Sequence, residues 1–149
     1  MNNYHFTIAI RDADDAHMDE LENALYAANC DDALLCVENG QVYLEFDRMA
    51  VNAKTAICSA LADINRAGFH DLIVQESGVA TLSQMASRAG LTRQALSLYA
   101  KHKRGSNFPK PIYGVATPTL LYSWREVASW LYQQGKLSHN IYEVAIEQF

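Results

Sequence analysis

Over residues 1–77 the apolar period of the chain switches back and forth between two and three-to-four, and the order of those switches leaves few folds open. Phe6, Ile8 and Ile10 alternate with Thr7 and Ala9, which predicts a half-buried strand. A helix over His17 to Asn29 then carries Met18, Leu21, Leu25 and Ala28 on one face. Two strands follow, Ala33 to Glu38 and Gln41 to Asp47, joined by Asn39-Gly40, a dipeptide that tolerates the positive φ of a two-residue hairpin turn. A second helix, Asn52 to Ala67, bears the stripe Ala53, Ala56, Ile57, Ala60, Leu61 and Ile64 and stops at Gly68. Leu72 to Gln75 closes the series as a fourth strand.

Strand, helix, strand, strand, helix, strand is the order of a ferredoxin-like split sandwich, so the expected class is α+β, with both helices on one face of the sheet. The uncovered face then carries Thr7, Ala9, Tyr43 and Glu45. That sandwich hosts enzymes, ligand sensors and dimerisation modules alike, and its residues show little chemistry. Asp12, Asp14, Asp15, Asp19, Glu20 and Glu22 match no calcium-loop spacing and read as a solvated loop and a favourably charged helix start. His5, His17 and His70 stand alone, without a nucleophile or metal-ligand spacing around them. Cys30, Cys36 and Cys58 are odd in number, lack paired metal spacing and read as buried free thiols of a reducing cytoplasm. No catalytic residue, metal ligand or cofactor site is expected.

Residues 82–99 have a different character. Leu82, Met85, Ala86 and Ala89 share one helical face, Gly90 supplies a permissive turn, and Thr92 is placed to cap a second helix whose Leu96 and Tyr99 point inward. Arg93, Gln94, Ser97, Leu98 and Lys101 are left outward. Arg and Gln carry the forked groups that match guanine and adenine edges in the major groove, so the run reads as a helix-turn-helix with direct base readout. The alternative is an ordinary helical hairpin with a solvated face.

The stretch from Lys101 to Pro111 mixes chain breakers with Lys101, Lys103, Arg104 and Lys110 and cannot continue a helix. Ile112-Tyr113 and Leu120-Leu121-Tyr122 flank Gly114 to Thr119 as strand, loop and strand. Lys110 and Thr117 are expected to approach phosphates. Ser123 and Glu126 have capping-box spacing and open a helix that buries Val127, Trp130 and Leu131, with Trp124 also assigned to the core. Gly135 ends that helix, and Ser138 caps a last one carrying Ile141, Val144 and Ala145, with Phe149 nearby. Two helices, a β-hairpin wing and a closing helix make a winged helix-turn-helix over residues 78–149, following the sandwich of residues 1–77.

At Phe108-Pro109-Lys110-Pro111 and Ser123-Trp124-Arg125-Glu126-Val127-Ala128-Ser129-Trp130-Leu131, residues 80–131 resemble the winged-helix domain shared by phage excisionases, AlpA-type regulators and the MerR superfamily. The resemblance implies sequence-specific DNA binding, with Arg93, Gln94 and Ser97 in the major groove and the wing on the backbone or in the minor groove. The small excisionases lack an N-terminal sandwich.

Charge divides the chain at the same place. Residues 1–77 hold four basic residues against fourteen acidic ones, a net of −10, whereas residues 78–149 hold eight against three, a net of +5. A basic half suits a polyanion. No apolar run approaches the roughly 18 residues of a membrane span, and no basic-plus-apolar leader opens the chain, so a cytoplasmic location is expected. The resulting expectation is a transcriptional regulator, a repressor acting as a homodimer on a palindromic double-stranded operator. A special case is the DNA-binding antitoxin, in which Asp12, Asp14, Asp15, Asp19 and Glu22, with Tyr43 and Glu45, hold a basic toxin. An excisionase-like architectural protein is the alternative, and an enzyme or ligand sensor in the sandwich the weaker one.

Overall fold

The computed structural model describes residues 1–102, 105–114, 116 and 119–147. The chain is mixed α+β, with six α-helices and two antiparallel sheets among those residues, and it divides into a compact unit Met1–Gln75 and a second that begins at Glu76. None of the described helices is long and apolar enough to cross a membrane.

The first unit runs β1 (Asn2–Ile10), α1 (Met18–Ala27), β2 (Ala33–Glu38), β3 (Gln41–Ala50), α2 (Ala53–Arg66) and β4 (Leu72–Val74), and its antiparallel sheet has the order β2-β3-β1-β4. The period of two explains the core directly. Tyr4, Phe6, Ile8 and Ile10 of β1 and Val42, Leu44 and Phe46 of β3 are buried, with Phe6 facing Phe46 at 5.2 Å between ring centroids. Leu21 and Leu25 of α1 and Ala53, Ala56, Ile57, Ala60 and Ile64 of α2 are buried in the same unit. Each large side chain so placed contributes about 1.5–3 kcal/mol. Asn39 and Gly40 take φ of 53° and 74°, closing the β2–β3 hairpin in the left-handed region that Asn and Gly tolerate.

β3 continues three residues beyond the expected end at Asp47, because Arg48 occupies an inward register position opposite Tyr4. Its charge is met on every side. Nε and Nη2 donate to Asp32 at 2.7 and 2.9 Å, Nη1 to Asp63 at 2.9 Å and Ser59 at 3.1 Å, and Nη2 also to the Asn29 carbonyl. At the other end β4 stops one residue early, where Gln75–Ser77 coil into a single 3-10 turn.

The second unit runs β5 (Val79–Ala80), α3 (Leu82–Ala89), α4 (Arg93–Ala100), β6 (Tyr122–Ser123), α5 (Trp124–Gln133) and α6 (His139–Ile146). Met85, Leu96, Trp124, Val127 and Leu131 form the centre of its core, ringed by Tyr99, Phe108, Tyr122 and Trp130. Phe108 meets Trp130 edge-on at 5.1 Å and Tyr122 at 5.8 Å, while Trp130 Nε1 donates to the Ser106 carbonyl at 2.9 Å. Ser106 and Phe108 are thereby pinned to α5. Two expectations are corrected. Tyr122 pairs with Ala80 of β5 rather than extending the wing, and among the described residues the hairpin shows a bridge between Tyr113 and Leu121. The reciprocal capping box sits at Thr81 and Gln84, at the start of α3, whereas Ser123 only accepts from the Glu126 backbone N–H.

Candidate nucleic-acid interface

α4 is held at both ends by its sequence. Gly90, at φ 70°, ends α3 in a left-handed cap that an L side chain enters only at a cost, and the chain turns directly into Thr92, whose hydroxyl accepts from the Ala95 N–H at 3.1 Å. Leu96 and Tyr99 are buried, and Tyr99 lies 5.0 Å from the Trp130 ring. Rotation of the helix about its axis is therefore fixed. Arg93 and Gln94 lie exposed in its first turn, Ser97 is half-buried one turn later, and Lys101 is exposed at its C-cap. Leu98, read as outward, is half-buried.

Arg93 also borders a cleft of about 210 Å³ with Thr81, Leu82 and Ser83 from the start of α3 and Thr119, Leu120 and Tyr122 from the hairpin and β6. The geometry gathers the first turn of α4, the N-terminus of α3 and the base of the hairpin on one side of the unit. Sequence reasoning did not include Thr81 and Ser83, although Thr-x-x-Gln is a capping-box signal. Within the hairpin Gly114 has φ 88°, and a Cβ there would stand 1.9 Å from the Thr119 carbonyl oxygen. Ile112 and Tyr113 are exposed beside it, and Lys110 is exposed just before them. Lys103, Arg104, Thr117 and Phe149, all named from the sequence, lie outside the described residues.

Arg88 departs from the simple charge count. Its guanidinium carbon lies 5.6 Å from the centroid of the buried Trp124 ring, and its Nη1 is buried without a hydrogen-bond partner. Burial pushes its pKa down, and the negative charge of buried Glu76 works in the opposite direction. Arg93, Lys101, Lys110, Arg125 and Lys136 are instead exposed to solvent.

In the first unit the acidic residues do not act as one patch. Asp12 accepts from the His70 N–H at 2.9 Å, which holds its carboxyl below the usual carboxylate range, and Asp14 closes a turn by accepting from the Ala16 N–H. Asp15, Asp19 and Glu22 are exposed. Tyr43 and Glu45 are half-buried, and the register places them beside Ala9 and Thr7 on the sheet face opposite the core. The cysteines differ among themselves: only Cys30 is buried, Cys36 is half-exposed and Cys58 is exposed. Burial pushes the Cys30 thiol up to about 11. Among the described residues no group of three His, Cys, Asp or Glu side chains is placed to hold a metal ion. No protein-family model, curated protein or solved structure matches the chain.

Proposed function

We propose that this chain is a sequence-specific DNA-binding transcriptional regulator, a repressor, in which a winged helix-turn-helix reads the operator and a ferredoxin-like unit assembles the dimer. The observation that carries the reading is the presentation of α4: Arg93 and Gln94 stand exposed in the first turn of a capped helix whose opposite face is locked into the core. Recognition helices contact base edges through their N-terminal residues, and the forked donors of Arg and the amide of Gln suit guanine and adenine. The hairpin beside Arg93 serves as the wing, with Lys110 and Lys101 directed to phosphates.

The β2-β3-β1-β4 order and its two helices support the ferredoxin-like reading of the first unit. Its net charge of −10 over residues 1–77 opposes approach to phosphate, which supports a role in protein contact. The antitoxin version draws on the exposed carboxylates Asp15, Asp19 and Glu22, which offer a basic partner a phosphate-like field. Selection of duplexes from a randomised pool by the full chain tests the proposal. Enrichment of an inverted repeat supports a dimeric sequence reader, and a pool that stays random after several rounds refutes it.

A further inference from the structure

We propose that β2 is the edge through which two copies of this chain join, antiparallel and centred on Leu35, so that two four-stranded sheets become one. The proposal rests on the assembly role assigned above to the first unit, and is independent of DNA contact. β2 pairs on one side only, with β3. Its sequence, Ala33-Leu34-Leu35-Cys36-Val37-Glu38, contains none of the lysine, proline or bulge devices that keep an edge from recruiting another strand. At the opposite edge β4 has three residues, which leaves little to template.

The register of the pair follows from the backbone. The Asp47 N–H donates to the Asp32 carbonyl, and antiparallel ladders alternate, so the even-numbered residues of β2 bond to β3. Ala33, Leu35 and Val37 therefore turn their N–H and C=O groups outward. A two-fold axis at Leu35 matches all three at once, Leu35 with the partner's Leu35 and Ala33 with the partner's Val37, forming about six backbone hydrogen bonds. An edge that complements itself about a two-fold is suited to a second copy. The same register sets Glu38 opposite the partner's Asp32, whose charge Arg48 already meets.

Side chains agree with that seam. Leu34 is 64% exposed and Val37 40%, and Tyr26 of α1 is 70% exposed beside a cleft of about 360 Å³ lined by Leu25, Leu35 and Leu44. The partner's Leu35 and Val37 arrive on the helix side, next to that cleft. On the other face Leu34 lies directly opposite the partner's Cys36, in a pair not bonded through the backbone, with about 4.5 Å between Cα atoms. That spacing suits a disulfide. Cys36 and the partner's Cys36 are diagonal neighbours about 7–8 Å apart, which does not.

The test uses the full chain with exposed Cys58 replaced by Ser. Under mild oxidation Leu34→Cys yields an interchain disulfide dimer, and adding Cys36→Ser abolishes it. Without Leu34→Cys the chain stays uncrosslinked. Val37→Pro, which removes an outward N–H, sediments as a monomer with an unchanged circular dichroism spectrum. Because both copies are acidic in this unit, raising the salt strengthens the dimer, opposite to its effect on DNA binding. A monomeric unmodified chain, a dimer that crosslinks through Cys36 alone, or a folded Val37→Pro chain that stays dimeric overturns the proposal. Failure to bind DNA by a chain that still crosslinks overturns the regulator reading and leaves this one standing.

Discussion

Arg48 shows how far a single residue can mislead a pattern and still hold a fold together. In the sequence it lies just beyond the expected strand end at Asp47, yet it sits 8% exposed at an inward position, its guanidinium divided between Asp32 and Asp63. Alternation is blind to this, because the partners lie fifteen or sixteen residues away. Removing one member of a buried ion pair leaves the other uncompensated, so Arg48→Met is expected to destabilise the chain by about 3–5 kcal/mol in urea titration. Adding Asp63→Leu should recover most of that loss, since Asp32 and Arg66 can turn to water. Cys30 gives a second check. Its thiol is neutral when folded and held up to about 11, so the folded state binds the proton more tightly than the unfolded chain once the pH passes the usual thiol range. Stability should fall between pH 9 and about 11 by roughly 2 kcal/mol more in the wild type than in Cys30→Ala, as followed by urea unfolding. Arg88 is a residue whose burial a charge count does not register. The sequence shows a cation among cations, but its place on α3 faces Trp124 and Glu76.

Among the elements, those with long clean periods were legible and the shortest were not. Phe6 to Ile10 of β1 and Gln41 to Asp47 of β3 alternate cleanly, and α2 carries a full apolar stripe, so their faces could be assigned from spacing alone. β5 and β6 have two residues each, too few to express a period, and their pairing joins segments more than forty residues apart. The caps of α4 and α6 were legible because Thr92 and Ser138 precede apolar periodicity, and the caps accept from Ala95 and Ile141 as that placement requires. Exposure of Arg93 and Gln94 followed from the same spacing. The cleft beside Arg93 did not, since the chain spacing between Ser83 and Thr119 carries no periodic signal. Thr92→Ala should lower stability by about 1 kcal/mol through the lost cap, measured by thermal unfolding. Gly114→Ala should act differently. The added methyl meets the Thr119 carbonyl and must open the hairpin, so on the proposed reading DNA affinity should drop alike on operator and scrambled duplexes while circular dichroism in the helical region is retained.

At the scale of the whole molecule the opposed charges of the two halves, −10 over residues 1–77 and +5 over residues 78–149, are the property that composition alone hides. With Arg88 turned inward, Arg93, Lys101, Lys110, Arg125 and Lys136 are the exposed cations of the second unit among the described residues. On the proposed reading those charges would set affinity and its salt dependence, and specificity would rest on the first turn of α4. The two roles separate in one measurement, fluorescence anisotropy of a labelled selected operator and a scrambled duplex, titrated with wild-type, Arg93→Ala and Lys101→Ala chains over a range of salt. Arg93→Ala is expected to lose about 1–3 kcal/mol on the operator and little on the scrambled duplex, and Lys101→Ala to weaken both alike and flatten the salt slope by roughly one unit. Equal binding of operator and scrambled duplex by the wild type, or an Arg93→Ala chain that discriminates between them as well as the wild type does, would contradict the account.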